Sequence, residues 1–190
     1  ILNFEDINSD GNYKPVDSFI PEDGVEYELS VTYNNEVFKG KATKTKTPRF
    51  TSVEQGTKTL FSGKETEVKV IFPDDGTQEN FYQFDFANNL YLSIEDRFFN
   101  GSDYNFSFFY QEEEIEIPTT VHIKMSSVTK EYYTFFRVFS SQSGQSGGGP
   151  FSTIPSSLLG NIVNTTNSEN FPLGYFHIAE TDTYELTITE

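Results

Sequence analysis

One stretch of this chain, Val128–Phe139, carries apolar residues at helical spacing. Val128, Tyr132, Phe135, Phe136 and Phe139 fall on one face of a 3.6-residue period. The spacing predicts a helix near 129–140, capped by Thr129 or Ser127 and ended by the Ser140–Gly149 run, whose serines and glycines do not sustain a helix. Almost everything around it alternates with a period of two. An aromatic helix in such a chain has only a sheet on which to bury its face.

The alternating runs follow one another quickly after Phe50. Val68, Val70 and Phe72 share a face within Thr66–Phe72, as do Tyr82, Phe84 and Phe86 within Phe81–Phe86. Leu90, Leu92 and Ile94 do the same, then Tyr104, Phe106, Phe108 and Tyr110. Val121, Ile123 and Met125 point in while His122 and Lys124 point out, and Tyr184, Leu186 and Ile188 close the chain. Asp74-Asp75-Gly76 and Asn100-Gly101 supply turns between strands. The fold class expected is mainly β: a β-sandwich or partly open barrel over residues 49–190, with one short helix and a long loop, 140–175, wrapping it.

Residues 1–48 read differently. Tyr27, Leu29, Val31 and Tyr33 alternate with polar residues, Asn34-Asn35 suits a tight turn, and Val37–Thr43 returns. This resembles the last two strands of an immunoglobulin-like sandwich, and an isolated hairpin is marginally stable, so further strands are expected upstream. The chain starts at Ile1 rather than Met, which adds the expectation of a leader or further N-terminal part. Thr43–Pro48 reads as an extended connection. Lys39, Lys41, Lys44, Lys46 and Arg49 around it are either a solvated edge or a strip for a partner.

Composition narrows the function classes. The 190 residues include 20 Phe and 11 Tyr, which suits a pleated core. The net charge of −16 opposes binding to nucleic-acid phosphates or to an anionic bilayer and favours cations or a basic partner. With no cysteine there is no disulfide, thiolate metal site or thiol nucleophile. No apolar run reaches the roughly 18–20 residues of a membrane-spanning helix.

Candidate chemistry is sparse. Asp6-Ile7-Asn8-Ser9-Asp10-Gly11 matches the opening of a calcium loop, with Asp17 at the twelfth position. Asp6, Asn8, Asp10 and Asp17 are therefore the metal-ligand candidates, and calcium is the one cofactor the residues admit. Pro15 and the absence of Glu at the last position favour a plain acidic turn instead. Asp74, Asp75, Asp96 and Asp103 are loop carboxylates of the same kind. Gly144-Gln145-Ser146-Gly147-Gly148 fits G-x-S-x-G, but a helix precedes it where a nucleophile elbow needs a strand. His122 and His177, read on separate strands, form no zinc motif. No catalytic residue is assigned, and the expectation is a non-enzymatic protein.

Four ordered segments carry a family resemblance. Gly24–Val31 with Phe38–Thr43 resembles a "G-x-x-Y-x-L-x-V … A-x-T" hairpin, and Val68–Asp74 with Asn80-Phe81-Tyr82 resembles "v-x-F-x-D … n-x-Y". Asp96–Gly101 resembles "D-x-x-F-N-G". Ser127–Phe136, Gly149–Ser152, Gly160-Asn161-Ile162 and Leu173–Phe176 resemble a closing helix followed by "P-F-S … G-N-I … L-G-Y-F". Together they are similar to a Bacteroidota outer-membrane lipoprotein family of unknown function, domain of unknown function 4249. The resemblance implies a lipid-anchored protein of the outer membrane, at the cell surface, held by an anchor upstream of this chain. It also implies a SusC-like TonB-dependent transporter as partner, because such genes often stand beside one another. The expected role is an accessory or ligand-binding subunit of that uptake complex, with Phe151, Tyr175 and Phe176 on the partner surface. The rival reading is a secreted, calcium-dependent carbohydrate-binding or adhesive module.

Overall fold

The alternating aromatic runs fold into two facing antiparallel sheets. The computed structural model describes residues 1–142 and 158–190. Among them the strands are β1 (Phe4–Glu5), β2 (Lys14–Pro15), β3 (Glu26–Tyr33), β4 (Glu36–Thr43), β5 (Ser52–Gln55), β6 (Thr66–Phe72), β7 (Phe81–Asp85), β8 (Tyr91–Glu95), β9 (Tyr104–Tyr110), β10 (Thr119–Val128), β11 (Ile162–Asn164) and β12 (Thr181–Ile188); helix α1 is Lys130–Gln142. Among the described residues the fold is mainly β, without a closed barrel, and fits a β-sandwich with one short helix.

One sheet of the sandwich runs β12-β10-β7-β8 and the other β5-β6-β9. Val68, Val70 and Phe72 of β6 meet Tyr82, Phe84 and Phe86 at and beyond β7, with Ile123, Met125 and Ile188 beside them, all almost fully buried. Rings bridge the sheets: Phe72 meets Tyr82 edge-on at 4.8 Å, Phe84 meets Phe106 at 5.2 Å, and Phe86 stacks on Phe108 at 3.9 Å. Such pairs add about 0.5–1.5 kcal/mol each to the burial they bring. At one edge the Gln55 side chain imitates a strand. Its amide donates to the Thr189 carbonyl at 2.8 Å and accepts from the Thr189 N–H at 3.0 Å.

The N-terminal hairpin forms as its residues dictate, with Asn34 and Asn35 at φ 49° and 63°. Among the described residues its third strand comes from downstream. β11, within the 140–175 connection, pairs antiparallel with β4 and gives the order β11-β4-β3. Phe176 covers part of the apolar face of this sheet, its Cβ only 3.1 Å from where a Cβ on Gly40 would stand. The basic residues nearby are held by the chain's own acids: Lys39 to Glu28 at 2.7 Å, Lys41 to Glu26 at 2.8 Å, and Lys44 to Asp23.

Helix α1 starts one residue after β10 ends and lies on the outer face of the four-stranded sheet. Thr129 is its cap, with its hydroxyl accepting the Tyr132 N–H at 3.2 Å. The buried residue of the helix is Tyr133, against Phe81 at 5.0 Å, rather than one of the apolar positions that the spacing singles out. Phe136 meets Tyr91 of the sheet at 5.5 Å. Tyr132 and Phe135 instead face the segment 174–180. Two neighbours share the helix, so its buried stripe is wider than one apolar row.

Candidate functional site: the aromatic shoulder of helix α1

Residues 174–180 have no periodicity, yet they hold the molecule together. Ala179 forms a parallel bridge with Thr45. The Thr45 N–H donates to the Ile178 carbonyl at 3.2 Å, and the Glu180 N–H donates to the Thr45 carbonyl at 2.9 Å. The Thr47 hydroxyl donates to the Glu180 carbonyl at 2.5 Å and accepts the Ser127 N–H at 2.8 Å. Arg49 then forks onto Glu180 at 2.6 Å and Asp182 at 2.9 Å. Segment 44–50, which includes most of the extended Thr43–Pro48 connection, is thus a strand-like seam between β10 and residues 178–180.

Side chains alternate along this segment. Tyr175 meets Tyr132 at 5.3 Å and Phe135 at 5.0 Å, and His177 stacks on Tyr132 at 4.5 Å. Phe176 turns toward Gly40 and Ile162 of the N-terminal sheet. Of the three residues expected on one partner surface, Tyr175 joins the helix and Phe176 points to the other side. Phe151 lies outside the described residues, as does the G-x-S-x-G run. His177 stands in irregular backbone before β12, not on a strand.

Beside Tyr175 the surface is apolar and open. A groove of about 450 Å³ runs between the helix and residues 158–159, lined by Phe135, Val138, Thr134, Leu158 and Leu159, with Lys130 and Glu131 at the rim. Phe139 is 43% exposed and Leu159 66%, and Leu173 nearby in the chain is 61% exposed. Side chains of this size facing water mark a surface suited to a protein partner.

A second cavity, of about 620 Å³, lies where β10 leaves the helix-covered part of the sheet. It is lined by Asp85, Glu113, Glu114, Glu116, His122 and Lys124. Several of these groups are engaged internally. Lys124 pairs with Asp85 at 3.5 Å, and Glu114 accepts the Gln111 N–H at 2.7 Å.

The loop carboxylates proposed for calcium serve their own backbone. Asp6 accepts the N–H groups of Asp10 at 3.1 Å and Gly11 at 2.9 Å, and Asp10 accepts that of Asn12 at 2.8 Å. The bond from the Asn12 backbone, with the Asn12 side chain next, holds the Asp10 carboxyl below its usual range. Asn8 contributes a side-chain bond to Asp10, and Asp17 follows β2. Among the described residues no three His, Asp or Glu side chains stand close enough to share a metal ion, so Asp6, Asp10 and Asp17 do not converge. Asp74 accepts from the Tyr82 hydroxyl at 2.5 Å and the Gly101 N–H at 2.8 Å, while buried Asp96 accepts the Asn80 N–H at 2.8 Å. Phe99 stacks on Tyr104 at 3.7 Å. The residues of the "F-x-D … n-x-Y" and "D-x-x-F-N-G" segments are therefore clasps between two loops.

Two buried carboxylates escape a sequence reading, because Glu67 on β6 and Glu65 just before it look solvated until the preceding loop folds over them. Glu67 accepts the Lys58 N–H at 2.8 Å and the Ser107 hydroxyl at 2.6 Å. Glu65 accepts the N–H groups of Leu60 and Ser62, both at 3.0 Å, and the Ser62 hydroxyl at 2.8 Å. Burial works to raise the Glu65 pKa, but these bonds outweigh it and hold the carboxyl at about 2. His177 shifts for one reason: burial against the helix disfavours its cation and lowers its pKa to about 4.

Acid should therefore loosen the fold in two windows. The His177 imidazole, neutral in the fold, takes up a proton in the unfolded chain below the ordinary value of 6.5, so its contribution is full above that pH and falls away toward about 4. The Glu65 contribution persists above 4.5 and is lost as pH falls toward about 2. Melting temperatures measured across this range should decline in both windows, and His177→Phe should flatten the upper one. An unchanged upper decline in that variant would contradict the assignment.

No curated protein and no solved structure matches the chain. The family model described as Domain of unknown function (DUF4249) matches residues 2–185. The chain belongs to that family.

Proposed function

We propose that this chain belongs to a non-enzymatic, lipid-anchored surface protein that serves as an accessory or ligand-binding subunit of a TonB-dependent uptake complex in the outer membrane. The observation that supports a docking role is the apolar shoulder formed by Phe135, Val138, Phe139 and Leu159 beside Tyr175. The transporter as partner rests on the resemblance described above, and a fold class alone does not assign it. An exposed Phe and Leu contribute little to folding but are suitable anchors for an interface. Phe139→Glu with Leu159→Glu should leave the circular dichroism spectrum unchanged and reduce co-purification with the outer-membrane companion at least about tenfold, since burying an unpaired charge costs more than about 1.4 kcal/mol. Undiminished co-purification of this double variant would move the interface elsewhere.

A further inference from the structure

We propose that the end of the sandwich where β6 begins binds an extended basic peptide, with arginine or lysine side chains in the acidic cavity and apolar side chains against Phe61. Two features that serve no contact among the described residues meet at this end. Loop 57–64 carries an exposed aromatic tip, and the cavity beside β10 carries unpaired carboxylates.

Phe61 is fully exposed and Leu60 is 46% exposed, yet the backbone that carries them is fixed. Glu65 accepts the N–H groups on both sides of Phe61, those of Leu60 and Ser62, and Glu67 accepts that of Lys58. A carboxylate taken out of water has to be bonded, and both of these spend bonds on this one loop. The Phe61 ring is therefore held out to solvent on pre-ordered backbone, which lowers the ordering cost of binding there.

The β6–β9 ladder sets this tip beside the acidic loop. Thr66 pairs with Tyr110, so loops 57–65 and 111–116 leave neighbouring strands at the same end, and Lys64 joins them through Glu112 at 2.8 Å. Loop 113–116 walls the cavity of about 620 Å³, where Asp85, Glu113, Glu114 and Glu116 face one ammonium, that of Lys124. Lys124 is taken up by Asp85, and Glu114 by the Gln111 backbone. Exposed Glu113 and Glu116 have no hydrogen bond or ion pair among the described residues. No three acids there stand close enough to share a metal ion, so the negative charge is spread along the surface. The separated positive charges of a peptide match such a spread, and a single ion does not. An arginine guanidinium also lies well over an aromatic ring, so Phe61 suits the same ligand. No residue lines both this cavity and the groove at helix α1, and the inference does not depend on the role in uptake.

Titration calorimetry tests this with the whole chain and an acetylated, amidated hexapeptide of alternating arginine and leucine. The hexapeptide should bind saturably, and more weakly as salt rises from about 50 to about 300 mM. Its counterpart of alternating glutamate and leucine should not bind. Phe61→Ala should weaken binding at least about fivefold, and Glu113→Gln with Glu116→Gln at least about tenfold, with circular dichroism spectra unchanged. Asp103→Asn with Glu169→Gln removes the same charge elsewhere on the surface and should change affinity by less than about twofold. No binding at about 500 µM peptide, an unchanged affinity in Phe61→Ala, or equal losses in the two charge variants would each overturn the proposal.

Discussion

Replacing Phe84 by alanine is expected to lower the unfolding free energy by about 3–5 kcal/mol, read as a fall in the urea midpoint at unchanged slope. Phe84 is fully buried at the centre of the sandwich, with the rings of Phe50, Phe72, Phe86 and Phe106 at 6.3, 5.5, 6.0 and 5.2 Å. Phe72 and Phe106 are fixed by the β6–β9 ladder of the facing sheet while Phe84 belongs to the other sheet, so the two sheets do not close over the missing ring. The loss is a large share of the about 5–15 kcal/mol that such a domain commands. Phe139→Ala, on the exposed part of the helix, should change stability by less than about 0.5 kcal/mol. A small loss at Phe84 would mean that the facing sheets are not the core.

The second large effect is expected at Gly160. A Cβ there would stand 1.7 Å from the Gly174 carbonyl oxygen and 2.7 Å from its carbon, and neither is a side chain that can rotate away. Gly160 is thus required by a close crossing of two backbones and not by a positive φ, which it does not have. Next to it, the Asn161 amide donates to the carbonyls of Phe176 at 2.8 Å and Lys41 at 2.9 Å, and its oxygen accepts the Phe176 N–H at 2.7 Å. Gly160→Ala should cost about 3 kcal/mol or undock β11 outright. Hydrogen exchange would show it first as lost protection of β4 and residues 174–180. Gly40→Ala, 3.1 Å from the Phe176 Cβ, should be milder. Wild-type stability in Gly160→Ala would contradict the crossing.

These two positions mark where the sequence is readable. Phe84 sits in a run with a period of two, and alternation reports burial directly, as it does for Val121, Ile123 and Met125. β11 is three residues long, too short for any period, and it is a strand only because β4 offers an edge. The seam from Thr45 to Arg49 depends on hydroxyls and a guanidinium reaching backbone and acids some 130 residues away in the chain. Tyr133 was hidden for a similar reason: the helix serves two neighbours, and only one of them is a sheet. At the candidate site Tyr175 was recognisable as an aromatic after a glycine, but the opposite turn of Phe176 needs the crossing at Gly160 to be seen. The family-like segments show what they hold together, as Asp74, Asp96 and Asn161 do.

The role in uptake is tested most directly by extracting the full-length protein from native outer membranes in mild detergent and identifying what accompanies it. The account predicts a TonB-dependent transporter in a fixed ratio, with hydrogen-exchange protection at residues 130–142 and 158–176 on complex formation. A protein that elutes without a companion, with those residues exchanging as they do alone, would contradict it.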